Sequence, residues 1–279
     1  MSNKVIEYIQ NSFLSPLLQN DEVTDITYNG ENIFYMHNKE GRKKSLIKID
    51  ANTASDFIRQ IANFTEKSFS FTEPLLDLTI GKYRINAVHQ SIVRVRDSKA
   101  ISFAIRISSQ ENRVRNDKNF MNKAVLKYLQ SLLNNNESIV ISGATGTGKT
   151  ELQKYLITLL KENSHIVVID NIQELETIRN DNLDITTWQV TSNSPEKTFE
   201  SLIRNALRNN PDWLIIAEAR GKEMSDALLS VMSGHPIITT LHASNSFEAP
   251  NRITRMIQLA NPNQQYAEIY NDVVNNIHN

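Results

Sequence analysis

Cysteine is absent from this chain of 279 residues, and glycine occurs only eight times. The absence of cysteine excludes disulfide bonds and cysteine-ligated zinc, and it agrees with a reducing compartment, so we expect a cytoplasmic protein. No run of about 18 apolar residues occurs, which predicts that no helix spans a membrane. The N-terminus lacks the basic, apolar and small-residue pattern of a secretory signal peptide, so we expect no export.

An excess of charge of one sign is also lacking. The formal net charge is −1, and the sequence contains no long basic stripe. Proteins that bind nucleic acid gather lysine and arginine against the phosphates, so the sequence predicts no direct nucleic-acid binding. The content of 40% hydrophobic and 22% charged residues is that of an ordinary globular protein.

The first part of the chain has the pattern of an α+β module. Two turn signals, Asn29-Gly30 and Glu40-Gly41, lie between β-rich runs, which predicts a strand meander. Residues 53–67 then carry apolar side chains at helical spacing, before strand-like alternation returns. The polar run at 109–119 predicts an interdomain linker, so we expect an N-terminal α+β domain over residues 1–108.

From residue 120 onward, helical segments alternate with short apolar runs, which read SIVIS, HIVVID, DWLIIAEA and PIITTL. Such alternation is typical of a parallel sheet that is covered by helices, so we predict an α/β domain over residues 120–279. The late segment EIYNDVV alternates only weakly, and it fits either a last strand or a helix.

Three of the eight glycines lie in one loop, GATGTGKTE, at residues 143–151. Its spacing of glycine, four residues and Gly-Lys-Thr is the complete phosphate-loop pattern, and it stands between a strand-like run and a helical run. Glycine lets backbone N–H groups curl around a phosphate, and the positive end of the following helix favours the anion. The residues predicted to bind nucleotide are Gly143, Ala144, Thr145, Gly146, Thr147, Gly148, Lys149, Thr150 and Glu151.

Hydrolysis of the nucleotide would need acids, and two stand at the ends of apolar runs, Asp170 and Glu218. Ligands of a parallel sheet bind at the carboxyl ends of its strands, so we expect both acids to face the phosphates of ATP. Lys149 is expected to bind the β- and γ-phosphates, and the Thr150 hydroxyl and Glu218 to hold Mg²⁺. Asp170 is the candidate that positions the attacking water, and Glu174, just beyond it, is a third candidate acid.

Two histidines bracket the apolar run PIITTL, His235 before it and His242 after it. A zinc site is not expected, because neither cysteine nor a third clustered histidine supports it. Beside a nucleotide site, both histidines are instead candidates for contact with the γ-phosphate.

These motifs resemble those of the traffic ATPases of bacterial type II and type IV secretion, type IV pili and conjugation. The segment EVTDITYNG is similar to the opening strand of that family's N-terminal domain, and the phosphate loop follows. Residues 169–175 lie where the family has its acidic box, residues 207–223 resemble its Walker B segment, and SGHPIITTLHAS resembles its histidine box. The resemblance implies an N-terminal α+β domain followed by a RecA-type P-loop domain.

The resemblance also implies a homo-hexameric ring in which ATP drives domain motion. It implies partners among inner-membrane secretion or conjugation proteins, and a cytoplasmic location at the inner face of the cell membrane. Arg84 and Arg106 match positions from which the family's N-terminal domain contacts the phosphates. Such arginines neutralise charge in the transition state. Arg113 and Arg115, in the predicted linker, are further candidates.

The sequence departs from the family pattern at the acidic box, where Asp170-Asn171 replaces the usual Glu-Asp pair. The candidate acid is therefore one methylene shorter and has lost its acidic neighbour. Three functions remain open on the sequence: a motor of type IV secretion or conjugative transfer, a motor of pilus extension or retraction, and a weakly hydrolysing, nucleotide-regulated scaffold of a secretion machine.

Overall fold

The computed structural model describes residues 2–108, 114, 120–172, 174–175, 178, 180–191 and 194–277. By its internal contacts the chain divides into two compact units, Met1–Gln110 and Glu111–Asn279. The predicted linker at 109–119 lies outside the described residues apart from Val114, so the domain boundaries taken from the sequence stay a prediction.

The first unit is built on an antiparallel sheet. Its strands are β1 (Val23–Tyr28), β2 (Ile33–His37), β3 (Gly41–Lys44), β4 (Leu75–Ile80), β5 (Tyr83–Val88) and β8 (Ser102–Ile107), with a short ribbon formed by β6 (Arg94–Val95) and β7 (Ser98–Lys99). The six longer strands lie in the order β3-β2-β1-β8-β5-β4. The predicted meander is confirmed, because β1, β2 and β3 pair in succession.

The described residues of this unit form three helices: α1 (Ser2–Gln10), α2 (Ser15–Leu18) and α3 (Ala51–Phe64). The helix α3, which the apolar spacing predicted, begins after Asp50, whose carboxylate accepts a hydrogen bond from the Thr53 N–H at 2.7 Å. Its stripe of Phe57, Ile58 and Ile61 is buried in one core with the inward side chains of the sheet. The first unit therefore has the α+β architecture that the sequence predicted.

A buried histidine gives this unit a pH dependence. His89 is only 5% exposed, and its Nδ1 accepts a hydrogen bond from the Ser91 N–H at 3.1 Å. Burial, assisted by the charge of Arg59, lowers the pKa of His89 below its ordinary value. The folded protein therefore holds this ring neutral, whereas the unfolded chain takes up a proton below about pH 6.5.

We expect the stabilisation that comes from neutral His89 to be complete above about pH 6.5 and to be lost as the pH falls through the lowered pKa of the folded state. Urea denaturation of the wild type and of His89→Gln, followed by circular dichroism at pH 7.5 and pH 5.5, measures this loss. The wild type should lose more stability than His89→Gln over this interval, and His37→Gln, in strand β2 of the same unit, is the control. Equal losses in all three proteins would contradict the assignment.

The second unit contains a parallel sheet. Its strands are β9 (Ile139–Ser142), β10 (His165–Asp170), β11 (Asp184–Gln189), β12 (Trp213–Ala219) and β13 (Ile237–Leu241). They lie in the order β11-β10-β12-β13-β9, and each neighbouring pair is parallel. This confirms the predicted α/β architecture, and it brings the carboxyl ends of β10, β12, β13 and β9 to one edge of the sheet.

The described part of the second unit includes the helices α4 (Lys123–Asn134), α5 (Lys149–Thr158), α6 (Phe199–Ala206), α7 (Glu223–Met232), α8 (Ala249–Ala260) and α9 (Tyr266–Asn276). One apolar cluster joins α4 and α5 to Ile215 of β12, and we name it the α4–α5 cluster. A second joins α6, α7, α8 and α9 to Ile216, and we name it the α6–α9 cluster. Because successive residues of a strand point to opposite faces, the two clusters cover the two faces of the sheet.

The segment EIYNDVV, which fitted a strand or a helix, lies in α9. Its Ile269 and Val273 are buried in the α6–α9 cluster, so packing decides its conformation. Within the residues described above, the structure contains no helix long and apolar enough to cross a bilayer.

Candidate active site

The phosphate loop connects the end of β9 to the start of α5. Gly146 and Gly148 have φ angles of 80° and 86°, which other residues rarely adopt. A Cβ atom on Gly143 would lie 2.8 Å from Oγ1 of Thr147, closer than real contacts allow. The three glycines are thus required by the shape of the loop, as the motif predicted.

Lys149, the first residue of α5, folds back over this loop. Its Nζ donates hydrogen bonds to the carbonyl oxygens of Gly143 and Ala144, both at 2.9 Å. Thr147 donates its hydroxyl to the same Ala144 oxygen at 2.9 Å. Burial lowers the pKa of the Lys149 ammonium, while the charge of Glu218 acts in the opposite direction. The lysine is therefore fixed at the mouth of the loop and lies near a carboxylate.

Glu218 lies near the carboxyl end of β12, and its side chain is 15% exposed. Its Oε2 accepts a hydrogen bond from Nη2 of Arg220 at 2.6 Å. Its Oε1 lies 3.0 Å from Nε2 of His242, an ion-pair distance without hydrogen-bond geometry. Burial alone would raise the pKa of Glu218, but the Arg220 hydrogen bond and the charges of Arg220, His242 and Lys149 outweigh it, so the pKa is lowered. The carboxylate is thus held in its ionised form.

Arg220 is a residue of this site that the sequence reasoning missed. Glu223, which is 7% exposed, accepts hydrogen bonds from the backbone N–H groups of Arg220 and Gly221 and so fixes the turn before α7. The hydrogen bond to Glu218, partly opposed by burial, raises the pKa of Arg220, and the charges of Glu218, Glu223 and Glu174 raise it further. Arg220 therefore lies among three carboxylates. The two-residue spacing after Glu218 was the only sequence signal for it.

The two candidate acids of the acidic box, Asp170 and Glu174, have different surroundings. Asp170 is fully buried, and its two oxygens accept hydrogen bonds from the backbone N–H groups of Ile172 at 2.8 Å and Leu175 at 3.0 Å. Glu174 lies in the turn that these bonds organise, is partly exposed, and acts electrostatically on Arg220. The carboxylate of Asp170 is thus engaged by its own turn, and Glu174 is the acid associated with the Glu218–Arg220 pair.

The two histidines lie at opposite ends of β13. His242 follows the carboxyl end of the strand, and its Nε2 lies 3.0 Å from Oε1 of Glu218. His235 precedes the strand, and its Nδ1 lies 3.3 Å from Oγ of Ser233. Because the five-residue strand separates them, His235 does not belong to the cluster around Glu218.

The candidate arginines of the first unit lie side by side. Arg84 on β5 pairs directly with Arg106 on β8. Each has a carboxylate near it, at 3.6 Å from Asp77 for Arg84 and at 3.2 Å from Asp25 for Arg106. Two like charges opposite each other on a sheet repel, and the two carboxylates offset the energy of that repulsion. The linker candidates Arg113 and Arg115 lie outside the described residues.

The metal prediction rests on Thr150 and Glu218. Within the described ranges, no group of three histidine, aspartate or glutamate side chains forms a metal site. Mg²⁺ commonly takes only one or two protein ligands together with substrate phosphates and water. A hydroxyl in the first turn of α5 and a lowered-pKa carboxylate on β12 fit that requirement.

Glu151, the last residue of the predicted nucleotide set, pairs with Lys154 at 3.1 Å.

Comparison with known proteins relates these features to a family. The family model described as type II/IV secretion system protein matches residues 83–275. An uncharacterized protein of Bacillus anthracis is 30% identical over 268 residues, which are 91% of this chain and 59% of that protein. The type IV secretion system protein VirB11 of Bartonella quintana is 29% identical over 140 residues, 50% of this chain and 39% of that protein. The chain thus spans less than two thirds of either relative.

Among solved structures, the ATPase DotB of Legionella pneumophila superposes with a TM-score of 0.67, over 91% of this chain and 70% of that one. The two sequences are 22% identical, so this likeness supports the fold alone.

Proposed function

Since the chain belongs to the type II/IV secretion system protein family, we propose that it is a Mg²⁺-dependent ATPase that works as a ring-forming, hexameric motor of type IV secretion or conjugative transfer. One observation carries the proposal. Lys149 of a complete phosphate loop and an ionised Glu218 lie near each other at the carboxyl edge of a parallel sheet. That is the edge where such sheets bind their ligands.

In the proposed reaction, the loop N–H groups and Lys149 bind the phosphates of ATP. Lys149 exchanges the carbonyl oxygens of Gly143 and Ala144 for phosphate oxygens, which its flexible side chain allows. Water then forms a bond to the γ-phosphorus while the bond to the β–γ bridging oxygen breaks, which leaves ADP, phosphate and a proton. Mg²⁺, bound through Thr150 and Glu218, would neutralise charge on the phosphates.

We assign the contact with the attacking water to Glu174 rather than to Asp170, which revises the hypothesis from the sequence. The carboxylate of Asp170 is fully buried and each of its oxygens already accepts a backbone hydrogen bond, so burial keeps the attacking water away from it. Glu174 is partly exposed, and its charge raises the pKa of Arg220, which in turn donates a hydrogen bond to Glu218. Asp170 then acts as a positioning residue that shapes the turn carrying Glu174.

Two variants separate these roles. Glu174→Gln should lower kcat by roughly a hundredfold while affinity for a non-hydrolysable ATP analogue and the melting temperature stay unchanged. Asp170→Asn should instead lower stability by about 1–3 kcal/mol, because the asparagine NH₂ group cannot accept from a backbone N–H. Phosphate release, analogue binding and thermal melting of both variants provide the test.

Loss of hydrolysis in Asp170→Asn with binding and stability intact would return the water-positioning role to Asp170. If the wild-type protein binds ATP and never releases phosphate, the proposed motor function is wrong. That result would favour the weakly hydrolysing scaffold, which the Asp170-Asn171 sequence supports.

The partner machine is part of the same proposal. We place the motor with inner-membrane secretion or conjugation proteins, at the cytoplasmic face of the membrane. The name of the Bartonella quintana relative, a type IV secretion system protein, supports the link to secretion. Arg84 and Arg106 are proposed to complete the phosphate site in the assembled ring, as arginine fingers do in other ATPases.

A further inference from the structure

The pairing between β12 and β13 shifts by one residue at Ala217 and Glu218. Ile216 pairs with Thr239, and the next pair is Ala219 with Leu241. Two residues of β12, Ala217 and Glu218, therefore lie opposite the single residue Thr240. Such an extra residue is a β-bulge, which bends a strand and changes the direction of its side chains.

The effect of this bulge is visible in which apolar cluster each side chain of β12 contacts. Residues 213, 215 and 217 contact the α4–α5 cluster, while Leu214 and Ile216 contact the α6–α9 cluster. In an unbroken strand, residue 218 would follow Leu214 and Ile216 into the α6–α9 cluster. Ala219 occupies that place instead. The bulge thus removes a carboxylate from an apolar core and presents it to Lys149, Arg220 and His242.

Two side chains hold the backbone at this point. The Thr240 hydroxyl donates a hydrogen bond to the Ala217 carbonyl oxygen at 2.9 Å. Nε2 of Gln153 donates to the carbonyl oxygen of Ile216 at 2.9 Å and to that of Ile238, on β13, at 3.2 Å. The bulge is therefore bound from β13 on one side and from helix α5 on the other.

Gln153 is an unexpected residue at its position. It is fully buried, and within the described part of the chain its Oε1 has no hydrogen-bond partner. A buried polar atom without a partner destabilises a fold, and an apolar side chain of similar length would avoid that cost. Gln153 does, however, donate two hydrogen bonds from its NH₂ group. An apolar residue could not make them.

Gln153 also connects the bulge to the phosphate loop. It lies four residues after Lys149 on α5, and residues four apart share one face of a helix. The helix that begins at Lys149 is thus tied through Gln153 to the strand that carries Glu218.

We propose that Gln153 and Thr240 are positioning residues that hold the β-bulge and thereby fix Glu218 for catalysis. The proposal rests on the proposed ATPase function. Neither residue is expected to touch the nucleotide, so both should act on kcat through the placement of Glu218. Misplacement of a catalytic group by a fraction of an ångström to one ångström can lower rates about ten- to a hundredfold.

The first test is kinetic. Gln153→Met and Thr240→Val keep the side-chain volume but lose the donors, and each should lower kcat about tenfold or more, with the dissociation constant of a non-hydrolysable ATP analogue within about twofold of wild type. Thr240→Ser keeps the hydroxyl and should restore activity to within about twofold of wild type. Thr239→Val is the matched control, because the neighbouring Thr239 is fully buried and, in the described structure, its hydroxyl has no partner.

A merely structural role would lower the melting temperature without separating kcat from affinity and without rescue by serine. Wild-type kcat in both Gln153→Met and Thr240→Val would overturn the proposal, as would an equal loss in Thr239→Val. Because the two contacts are independent, one variant still decides the question if the other does not fold.

The second test needs no turnover. Titration of the Glu218 carboxyl by carbon-13 NMR should give a higher pKa in Gln153→Met and Thr240→Val, since the carboxylate would move away from Arg220 and Lys149, and an unchanged pKa in Thr239→Val. An unchanged Glu218 pKa in all variants would overturn the proposal. An inactive wild type would overturn the proposed ATPase function instead, and the titration would still decide the role of the bulge.

Discussion

Lys149→Ala is expected to abolish measurable ATP turnover and to weaken nucleotide binding at least about tenfold. The ammonium group is the cation fixed at the mouth of the phosphate loop, held 2.9 Å from the Gly143 and Ala144 carbonyl oxygens. Its removal leaves the β- and γ-phosphates without their positive partner while the glycine-shaped loop stays intact. Phosphate release and calorimetric titration with ATP measure the two effects.

Lys161→Ala is the control for this experiment. Lys161 is an exposed lysine just beyond α5, so its loss changes the net charge by the same amount away from the loop. Its turnover should equal that of the wild type. Turnover of wild-type magnitude in Lys149→Ala would refute the assignment of the loop as the nucleotide site.

Glu218→Gln is expected to lower kcat by roughly two to three orders of magnitude while ATP binding is retained or becomes tighter. Glutamine preserves the shape of the side chain and removes the negative charge that Arg220, His242 and Lys149 surround. The variant loses a ligand of Mg²⁺ but also the repulsion between this carboxylate and the phosphates, and because these two effects oppose each other, affinity should not fall. Single-turnover kinetics separate hydrolysis from binding and product release.

The exposed Glu196 offers a comparison, because Glu196→Gln removes the same charge at a distance from the phosphate loop in sequence. Its kcat should stay at the wild-type value. A fully active Glu218→Gln would move the catalytic charge elsewhere, with Glu174 the first residue to examine.

The phosphate loop could be predicted from the sequence because every constraint on it is local. Its glycines, lysine and threonine lie within eight consecutive residues, and both their order and their flanking elements are visible in the chain. The carboxyl-end rule for parallel sheets then predicted that Asp170 and Glu218 face the phosphates, and in the structure Glu218 lies near Lys149 of the loop. The same rule did not determine how each carboxylate is bonded.

Asp170 illustrates this limit. In the sequence it is an acid at the end of an apolar run, as Glu218 is. In the fold its oxygens accept hydrogen bonds from N–H groups two and five residues further along the chain. Whether an acid faces a ligand or its own turn depends on backbone dihedral angles that the residue type does not specify.

Gln153 and Arg220 were missed for a different reason. The partners of Gln153 are carbonyl oxygens 63 and 85 residues away, and they become neighbours only through the strand order β12-β13. The bulge itself is a one-residue difference in pairing, which alternation of apolar residues cannot reveal. Arg220 follows a strand end as many solvated arginines do, and only its contact with Glu218 distinguishes it.

Phosphate release by the wild-type chain with Mg²⁺ and ATP, measured at increasing protein concentration alongside light scattering, tests the motor most directly. A nucleotide site that is completed by assembly predicts that the activity per subunit rises as the chain passes from monomer to ring. Full activity in a monomer would contradict the ring, and bound ATP without phosphate release at any concentration would contradict the ATPase itself.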